Sequence, residues 1–457
     1  MESNTNKKNY IFILNYLFIF LPITLVMGPF FTNLTITLIA FFAIYYIVTY
    51  KTWVLIKNSV SLILLIFLVY CLLNSLFSKY LIDSFYTSVS YSRYFFFSIG
   101  VAIILLNNEK NLIYFGYILL LVLFFLSIDA YFQFYLDKNI FGWGMVEPGR
   151  VSSLFRDELI MGSFISRLLP LIIFYLILFS SKNKNFIFPS ILFFPIILSL
   201  VFLSGERTAI IMMIMQFIFF LFFLKINIKF FLIALISLLA VNIIAFQDTN
   251  LKERLFNKTY EEIINNLNYR DYDSTESVES LEIRKIQRPY SSTQPERSIW
   301  HQTGYKYKNI IKLPIPEYYQ AIYQVSFNIF LEKPILGNGI KTFRHLCKKE
   351  KFFIIGGCAS HPHSTYFQLM AELGLIGLII ISILFLLISY RLLNNLFNKF
   401  FYKKNPNNLE NLMLIAAFFT LWPLIPSGNF FGSYINAFFY LPLGFYFYNK
   451  YKDIWKN

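Results

Sequence analysis

Long apolar runs separated by short polar connections dominate the pattern along this chain of 457 residues. Many runs reach the roughly 20 residues that an α-helix needs to cross the hydrocarbon core of a bilayer. Backbone amides in a bilayer must be hydrogen-bonded within the protein, so these runs predict membrane-spanning helices. About twelve spans are expected. They cover residues 10–28, 30–50, 59–77, 85–106, 112–135, 159–179, 186–203, 209–224, 230–246, 365–390, 412–425 and 430–447.

The composition agrees with an all-α integral membrane protein. The chain is 57% hydrophobic and only 14% charged, which is too few charges to cover the surface of a soluble protein. Its formal net charge is +15, and lysine and arginine concentrate in alternate short connections. The positive-inside rule therefore places both termini in the cytoplasm. Because orientation accounts for the charge, nucleic-acid binding is not predicted.

One connection is much longer than the others. Residues 247–364 are polar and mixed in charge, and the order of the spans places them outside the cytoplasm. We expect short helices packed over the membrane surface there, with residues 271–282 as the least ordered part. The chain thus divides into residues 1–246 with transmembrane helices 1–9, the large loop 247–364, and residues 365–457 with helices 10–12 and the cytoplasmic tail.

Two of the four histidines lie where the large loop meets the next predicted helix. His363 follows Pro362, which restricts the backbone, and precedes Ser364 and Thr365, which are better helix caps than histidine. A histidine held at a membrane–water boundary can accept a proton from a hydroxyl group at pH 7. We therefore predict that His363 is a general base, with a purely capping role as the alternative. His361 is predicted to be structural or to contact substrate, and a direct catalytic role is the weaker alternative.

The large loop also holds Cys347 and Cys358, whereas Cys71 lies inside an apolar span. Two cysteines on an oxidising side of the membrane predict a disulfide, and two free thiols are the alternative. Together with His345 and the histidine pair they include the usual zinc-ligand types. However, no Cys-x-x-Cys motif is present and no carboxylate lies at ligand spacing to the histidines. No metal is predicted, and zinc stays a minor alternative.

Arginines mark the ends of several predicted spans on this same side. Arg207 lies in the short polar turn 204–208 between two apolar runs. Its guanidinium could bind a phosphate or diphosphate with paired N–H donors, or could extend to lipid headgroups. Arg167 lies deeper in the preceding apolar run and is expected to face the bundle interior.

A smaller polar loop, residues 136–158, carries further charges. We predict that Arg150 and Arg156 face anionic groups, and that Glu158 pairs with an arginine or holds a sugar hydroxyl. A solvated loop end is the alternative for all three. Further along, the segment from Gly337 to Gly339 is predicted to form a tight turn that returns Phe343 and Arg344 over the site; it does not match a nucleotide-binding phosphate loop.

Three segments of the chain resemble the O-antigen ligase family, within the ligase/polymerase superfamily of bacterial surface glycans. They are residues 149–170, 204–209 and 330–377. The third is the most specific, and the family pattern usually has asparagine where this chain has Ser364. Its matching residues are Gly337, Gly339, Cys347, Cys358, His361, Pro362, His363, Gln368, Glu372, Gly374 and Gly377.

The resemblance implies a glycosyltransferase on the periplasmic face of the bacterial inner membrane. It implies a glycan on undecaprenyl diphosphate as donor and a lipid A-core sugar hydroxyl as acceptor. His363 would be the base and arginines would stabilise the diphosphate leaving group, so no metal or cofactor is expected, and a single displacement predicts inversion. Two alternatives stay open. One is a polymerase of the same superfamily, and the other is a transporter or flippase, which would predict internal repeats and charges in mid-span.

Overall fold

The computed structural model describes residues 2–224, 236, 238, 239, 249–261, 317–354, 356–404 and 407–455. Within these ranges there is no β-strand, only an isolated antiparallel bridge between Lys138 and Gly144. The predicted all-α class is therefore confirmed for the described residues. The helices are α1 (Glu2–Ile19), α2 (Leu21–Met27), α3 (Pro29–Tyr50), α4 (Ser59–Leu76), α5 (Leu81–Asn107), α6 (Lys110–Leu136), α7 (Met161–Lys182), α8 (Ile187–Leu203), α9 (Arg207–Phe223), α10 (Thr249–Lys252), α11 (Glu317–Glu332), α12 (Phe343–Leu346), α13 (Thr365–Phe401), α14 (Asn408–Thr420) and α15 (Ser433–Trp455).

Seven described helices are long and apolar enough to cross a membrane: α3 to α7, α8 with the turn before it, and α13. Helices α9 and α14 are apolar but shorter. The predicted span 10–28 is divided into α1 and α2, because Pro22 fits the first turn of a helix but cannot continue one. Most of the predicted span 230–246 lies outside the described residues, as does the whole of 271–282. The full count of twelve spans stays a prediction.

Large apolar side chains cover the outside of the long helices. Ile82, Phe77 and Phe41 are 81%, 70% and 66% exposed. Soluble proteins rarely expose contiguous apolar surface on this scale, whereas lipid tails cover it without cost. The helix lengths and this outer surface together indicate a multi-pass membrane protein.

Helix α5 lies at the centre of the bundle and packs against α3, α4 and α15. Its buried Tyr91 and Tyr94 pack against Tyr440 of α15, whose hydroxyl donates to the Tyr91 hydroxyl at 3.2 Å. A buried hydroxyl with a partner is far less costly than one without. Beside this core, α7 packs against α8, α9 and α14, so the loop that precedes α7 meets the turn between α8 and α9.

Helix α13 is broken at Gly374, whose φ of 64° and ψ of −162° are not helical. The loop 334–341 fills the break, and the Leu375 amide donates to the Pro334 carbonyl at 2.8 Å. A Cβ atom on Gly374 would lie 2.5 Å from the Ile335 carbonyl oxygen, so no other residue fits both the space and the positive φ. The kink lets this loop pack against the bundle and carry α12 to the histidines at the start of α13.

Candidate functional site

The turn between α8 and α9 is enclosed by two arginines. Gly205 has a φ of +62°, and a Cβ atom there would lie 3.1 Å from side-chain carbons of both Arg150 and Arg254. Arg150 Nε donates to the Ser204 carbonyl at 3.3 Å, and Arg254 Nε donates to the Gly205 carbonyl at 3.1 Å. Glycine at position 205 therefore allows both side chains to reach the turn.

We call Arg150, Arg207 and Arg254 the arginine cluster. Arg150 Nη1 and Arg254 Nη1 lie 3.3 and 3.0 Å from the same carboxylate oxygen of Glu147. Arg207 begins α9 and is partly buried. A cation at a helix N-terminus opposes the helix dipole, so helix stability does not explain the arginine at this position. Arg207 directly follows the turn that Arg150 and Arg254 contact, so three arginines lie on or next to this turn.

Glu206 ties the start of α9 to the start of α7. Its buried carboxylate accepts from the Gly162 amide at 2.8 Å, from the Ser163 amide at 3.2 Å, and from the Ser163 hydroxyl. These amides belong to the first turn of α7 and have no partner within the helix. Burial raises the pKa of Glu206, while the hydrogen bonds from Ser163 and Gly162 and the charge of Arg150 lower it. The carboxylate thereby fixes the position of Arg207.

Polar side chains at the end of α6 order the smaller loop. Asp129 Oδ1 accepts from the Ile140 amide at 2.9 Å, and Gln133 Oε1 accepts from the Ser153 amide at 2.7 Å. Both side chains are buried. We did not predict this role from sequence, although two polar residues in the last turns of an apolar helix are a usable signal.

Arg156 and Glu158 lie at the rim of the site. Both side chains are exposed, and the Arg156 guanidinium carbon lies 4.1 Å from the centroid of the Trp143 ring. No ion pair of Glu158 is found within the described ranges. The predicted roles of these two residues in binding substrate stay predictions.

The two histidines of the large loop are in contact, with ring centroids 4.2 Å apart. His363 has a φ of 55°, which is uncommon for a residue with a side chain and is typical of functional sites that hold strain. Its carbonyl accepts from the Ser427 amide at 2.9 Å, and the Tyr319 ring of α11 packs edge-on at 5.9 Å. Ser360 Oγ lies 2.9 Å from His361 Nδ1. Contacts from several elements thus fix the pair.

The surroundings keep both histidines neutral. Burial lowers the pKa of His363. Burial, the neighbouring His363 and the charge of Arg344 lower the pKa of His361 to about 4, against an opposing hydrogen bond with the Ser427 backbone. A neutral imidazole is the form that a general base requires at pH 7. Arg344 lies on α12, which follows the turn at Gly337 and Gly339, and its charge acts on His361.

The segment between α14 and α15 links the histidines to the arginine cluster. Besides the Ser427 contact, Gln368 Nε2 donates to Asn429 Oδ1 at 2.8 Å. Tyr434, at the start of α15, donates to the Ile160 carbonyl at 3.4 Å, next to the start of α7. Both groups therefore lie at the same end of the bundle. Sequence reasoning missed Ser427, Asn429 and Tyr434.

A disulfide joins Cys347 to Cys358, with Cα atoms 5.2 Å apart, and Cys71 is a buried free cysteine. The bond connects α12 to the segment that leads into the histidine pair.

His345 lies 3.1 Å from Asp83 and stacks on Tyr80 at the start of α5. The part of the chain that is described holds no group of three or more His, Cys, Asp or Glu arranged to bind a metal.

Residues 191–382 match a family model described as O-Antigen ligase. The matched segment contains Arg207, Arg254, Arg344 and the histidine pair, and ends within α13. The match covers less than half of the chain, and over this segment it confirms the resemblance to the O-antigen ligase family seen in the sequence. No curated protein matches the chain. Together with the apolar helices, the match indicates similarity to the membrane enzymes of the ligase/polymerase superfamily.

Proposed function

We propose that this protein is an inverting glycosyltransferase of the O-antigen ligase type. It transfers a glycan from undecaprenyl diphosphate to a sugar hydroxyl of lipid A-core on the periplasmic face of the bacterial inner membrane. One observation carries the proposal: a neutral histidine pair and an arginine cluster lie at the same end of a bundle of apolar helices. A base for a hydroxyl and cations for a departing diphosphate are the two requirements of this transfer.

The reaction is a single displacement. The acceptor hydroxyl attacks the anomeric carbon while His363 takes its proton. The bond from this carbon to the diphosphate oxygen breaks, and its electron pair leaves with the diphosphate. Arg207, with Arg150 and Arg254, stabilises the charge that develops there. Attack opposite to the leaving group inverts the anomeric carbon, and the arginines let the reaction proceed without a metal or cofactor.

The remaining site residues are proposed to bind the substrates. His361 packs on His363 and holds its ring or contacts the acceptor. Arg156 and Glu158 are exposed at the rim, where they would contact anionic groups and hydroxyls of the glycan.

For topology we propose twelve spans with both termini in the cytoplasm. Residues 1–246 carry helices 1–9, residues 247–364 form the periplasmic loop, and residues 365–457 carry helices 10–12 and the cytoplasmic tail. The described part of the large loop does carry short helices, including α10 and α12. Membrane lipid would surround the apolar exterior and deliver the donor laterally.

The test is a deletion strain analysed by gel electrophoresis of its lipopolysaccharide. Free lipid A-core together with intact polymer on the lipid carrier supports a ligase. Loss of long chains with single repeat units still attached would instead identify a polymerase. Free lipid A-core with the lipid-linked glycan retained on the cytoplasmic face would point to transport and overturn both.

The same strain tests the base. His363→Ala should reach the membrane at the wild-type level and abolish transfer. His345→Ala is the matched control, because His345 lies in the same loop but pairs with Asp83, and it should keep transfer. If purified His363→Ala protein transferred glycan at the wild-type rate, the assignment of the base would be wrong.

A further inference from the structure

Arg167 of α7 is a partly buried arginine with unused hydrogen-bond donors among the described residues. Its Nε and Nη1 atoms are buried, and neither has a hydrogen-bond partner among the described residues. A buried guanidinium normally has its N–H groups paired with acceptors, because leaving them unpaired is costly. The proposed reaction does not use this residue.

The neighbours of Arg167 do not supply the missing acceptors. Glu206 and Tyr434 are the groups whose charges influence it. The Glu206 carboxylate is already occupied by donors from Gly162 and Ser163 at the start of α7. The Tyr434 hydroxyl donates to the Ile160 carbonyl. The described residues therefore leave these N–H groups without an acceptor.

The position of Arg167 indicates what this acceptor is. Residue 167 lies six positions beyond the start of α7, or about 9 Å along the axis at 1.5 Å per residue. It therefore lies deeper in the bundle than Arg207, whose turn is bound to the first residues of α7 through Glu206. The charge of Glu206 acts on Arg167, but its carboxylate accepts from Gly162 and Ser163 and does not pair with the guanidinium. A phosphoryl oxygen, unlike water, would both accept from the planar N–H groups and add negative charge beside them.

We infer that Arg167 binds a phosphoryl group of the lipid-linked donor from the inner side of the site. The diphosphate is then held at two levels, with the lipid-linked phosphate at Arg167 and the phosphate nearer the sugar at the arginine cluster. The identity of the donor rests on the proposed function, but binding of a prenyl diphosphate does not. Two phosphoryl positions at different depths give a preference for a diphosphate over a monophosphate.

The experiment measures binding to the full-length protein in phosphatidylcholine nanodiscs. Farnesyl diphosphate is the probe, with farnesyl monophosphate and inorganic pyrophosphate as comparisons. Arg167→Gln should weaken binding of farnesyl diphosphate at least about tenfold and remove most of its advantage over the monophosphate. Arg167→Lys keeps the charge but not the planar fork and should give a smaller loss. Arg391→Gln is the matched control, because Arg391 lies over the Tyr446 ring far from the start of α13, and it should bind normally.

Unchanged binding in Arg167→Gln would overturn the inference, and so would wild-type binding in Arg167→Lys if the glutamine variant did not fold. If phosphatidylglycerol in the nanodisc competed with farnesyl diphosphate, and this competition were lost in Arg167→Gln, the site would be assigned to ordinary phospholipid. This result would also overturn the inference. Competition by pyrophosphate alone shows that the phosphates, and not the lipid tail, provide the contact, as expected. Wild-type binding that depends on Arg167 without any glycan transfer would end the proposed function and leave this inference standing. If the wild-type protein transferred glycan but Arg167→Gln bound farnesyl diphosphate normally, the proposed function would stand and this inference would be overturned.

Discussion

His363 combines two features that a structural residue would avoid. Its backbone is left-handed, which costs on the order of 1–3 kcal/mol for a residue with a side chain. Its imidazole is partly buried against His361 and Tyr319, which opposes protonation. A capping residue needs neither feature, whereas a base that must be neutral and held in one direction benefits from both.

The pH dependence of transfer should reflect this environment. Because the folded protein lowers the pKa of His363 below the usual 6.5, the neutral base persists to more acidic pH, and its loss begins only as the pH falls through the lowered value. The acidic limb of kcat/KM against pH should therefore lie below pH 6.5. Transfer assays on the purified enzyme between about pH 4 and 8 measure it. An acidic limb at or above pH 6.5 would show that burial does not control the base.

Arg207 should depend on its shape as well as its charge. If it holds the donor diphosphate, Arg207→Lys loses the planar fork and much of the activity, and Arg207→Ala loses nearly all of it. Removing such a contact costs about 2–4 kcal/mol, or roughly a factor of 30 to 1000 in rate. Transfer rate against donor concentration, at matched protein level, is the measurement, with Arg391→Lys as control. Wild-type kinetics in Arg207→Lys would leave Arg207 only the role of an anchor at the lipid headgroups.

Sequence identified the residues whose type is unusual where they occur. Arg207 and His363 stand out at the ends of apolar runs, so hydropathy alone marks them. Ser427 and Asn429 look like ordinary residues of a polar turn, and only the packing of α14 and α15 brings them to the histidines. Arg254 is one of several arginines in the large loop, and the sequence alone does not rank it above the others. Its contact with Glu147 is visible only in the structure.

At the scale of elements, the sequence predicted α13 as a span over 365–390 but not its break. A glycine inside an apolar helix is commonly tolerated, so Gly374 by itself does not predict a kink. The break depends on the loop 334–341, which is distant in sequence and supplies the hydrogen bonds that the helix loses. This loop then leads to α12, where the disulfide continues the connection back to the histidines. The site is thus supported by elements whose contacts are non-local.

The disulfide at this junction can be tested by counting thiols. Cys347 and Cys358 should resist alkylation in the untreated protein, and buried Cys71 should react only after denaturation. Denatured protein without reductant should therefore take up label at one cysteine, and reduced protein at all 3. Mass spectrometry of labelled peptides gives the assignment. Ready labelling of both loop cysteines before reduction would rule out the bond in the native protein.

At the scale of the whole molecule, the contacts of the arginine cluster restrict the topology. Arg150 precedes α7 and Arg254 follows α9, and both contact Glu147, so both lie on the same side of the membrane. If α7, α8 and α9 each cross the membrane, as the sequence predicts, three crossings would place the two arginines on opposite sides. One more crossing is needed, and the sequence predicts a span at 230–246, mostly outside the described residues. The contacts with Glu147 are compatible with the predicted span, and the count of twelve stays a prediction.

Single cysteines introduced on the exposed loops test this topology. The native protein offers a low background, because Cys71 is buried and the other two cysteines are bonded. A membrane-impermeant maleimide applied from the periplasmic side should label Phe141→Cys and Lys252→Cys, which lie at exposed positions on either side of α7 to α9. It should label Lys184→Cys, between α7 and α8, only after the inner membrane is permeabilised. Labelling of Lys252→Cys from the cytoplasm alone would show that the chain does not cross the membrane again before α10. Arg254 and Arg150 would then lie on opposite sides of the membrane, which would contradict the shared contact on which the arginine cluster depends.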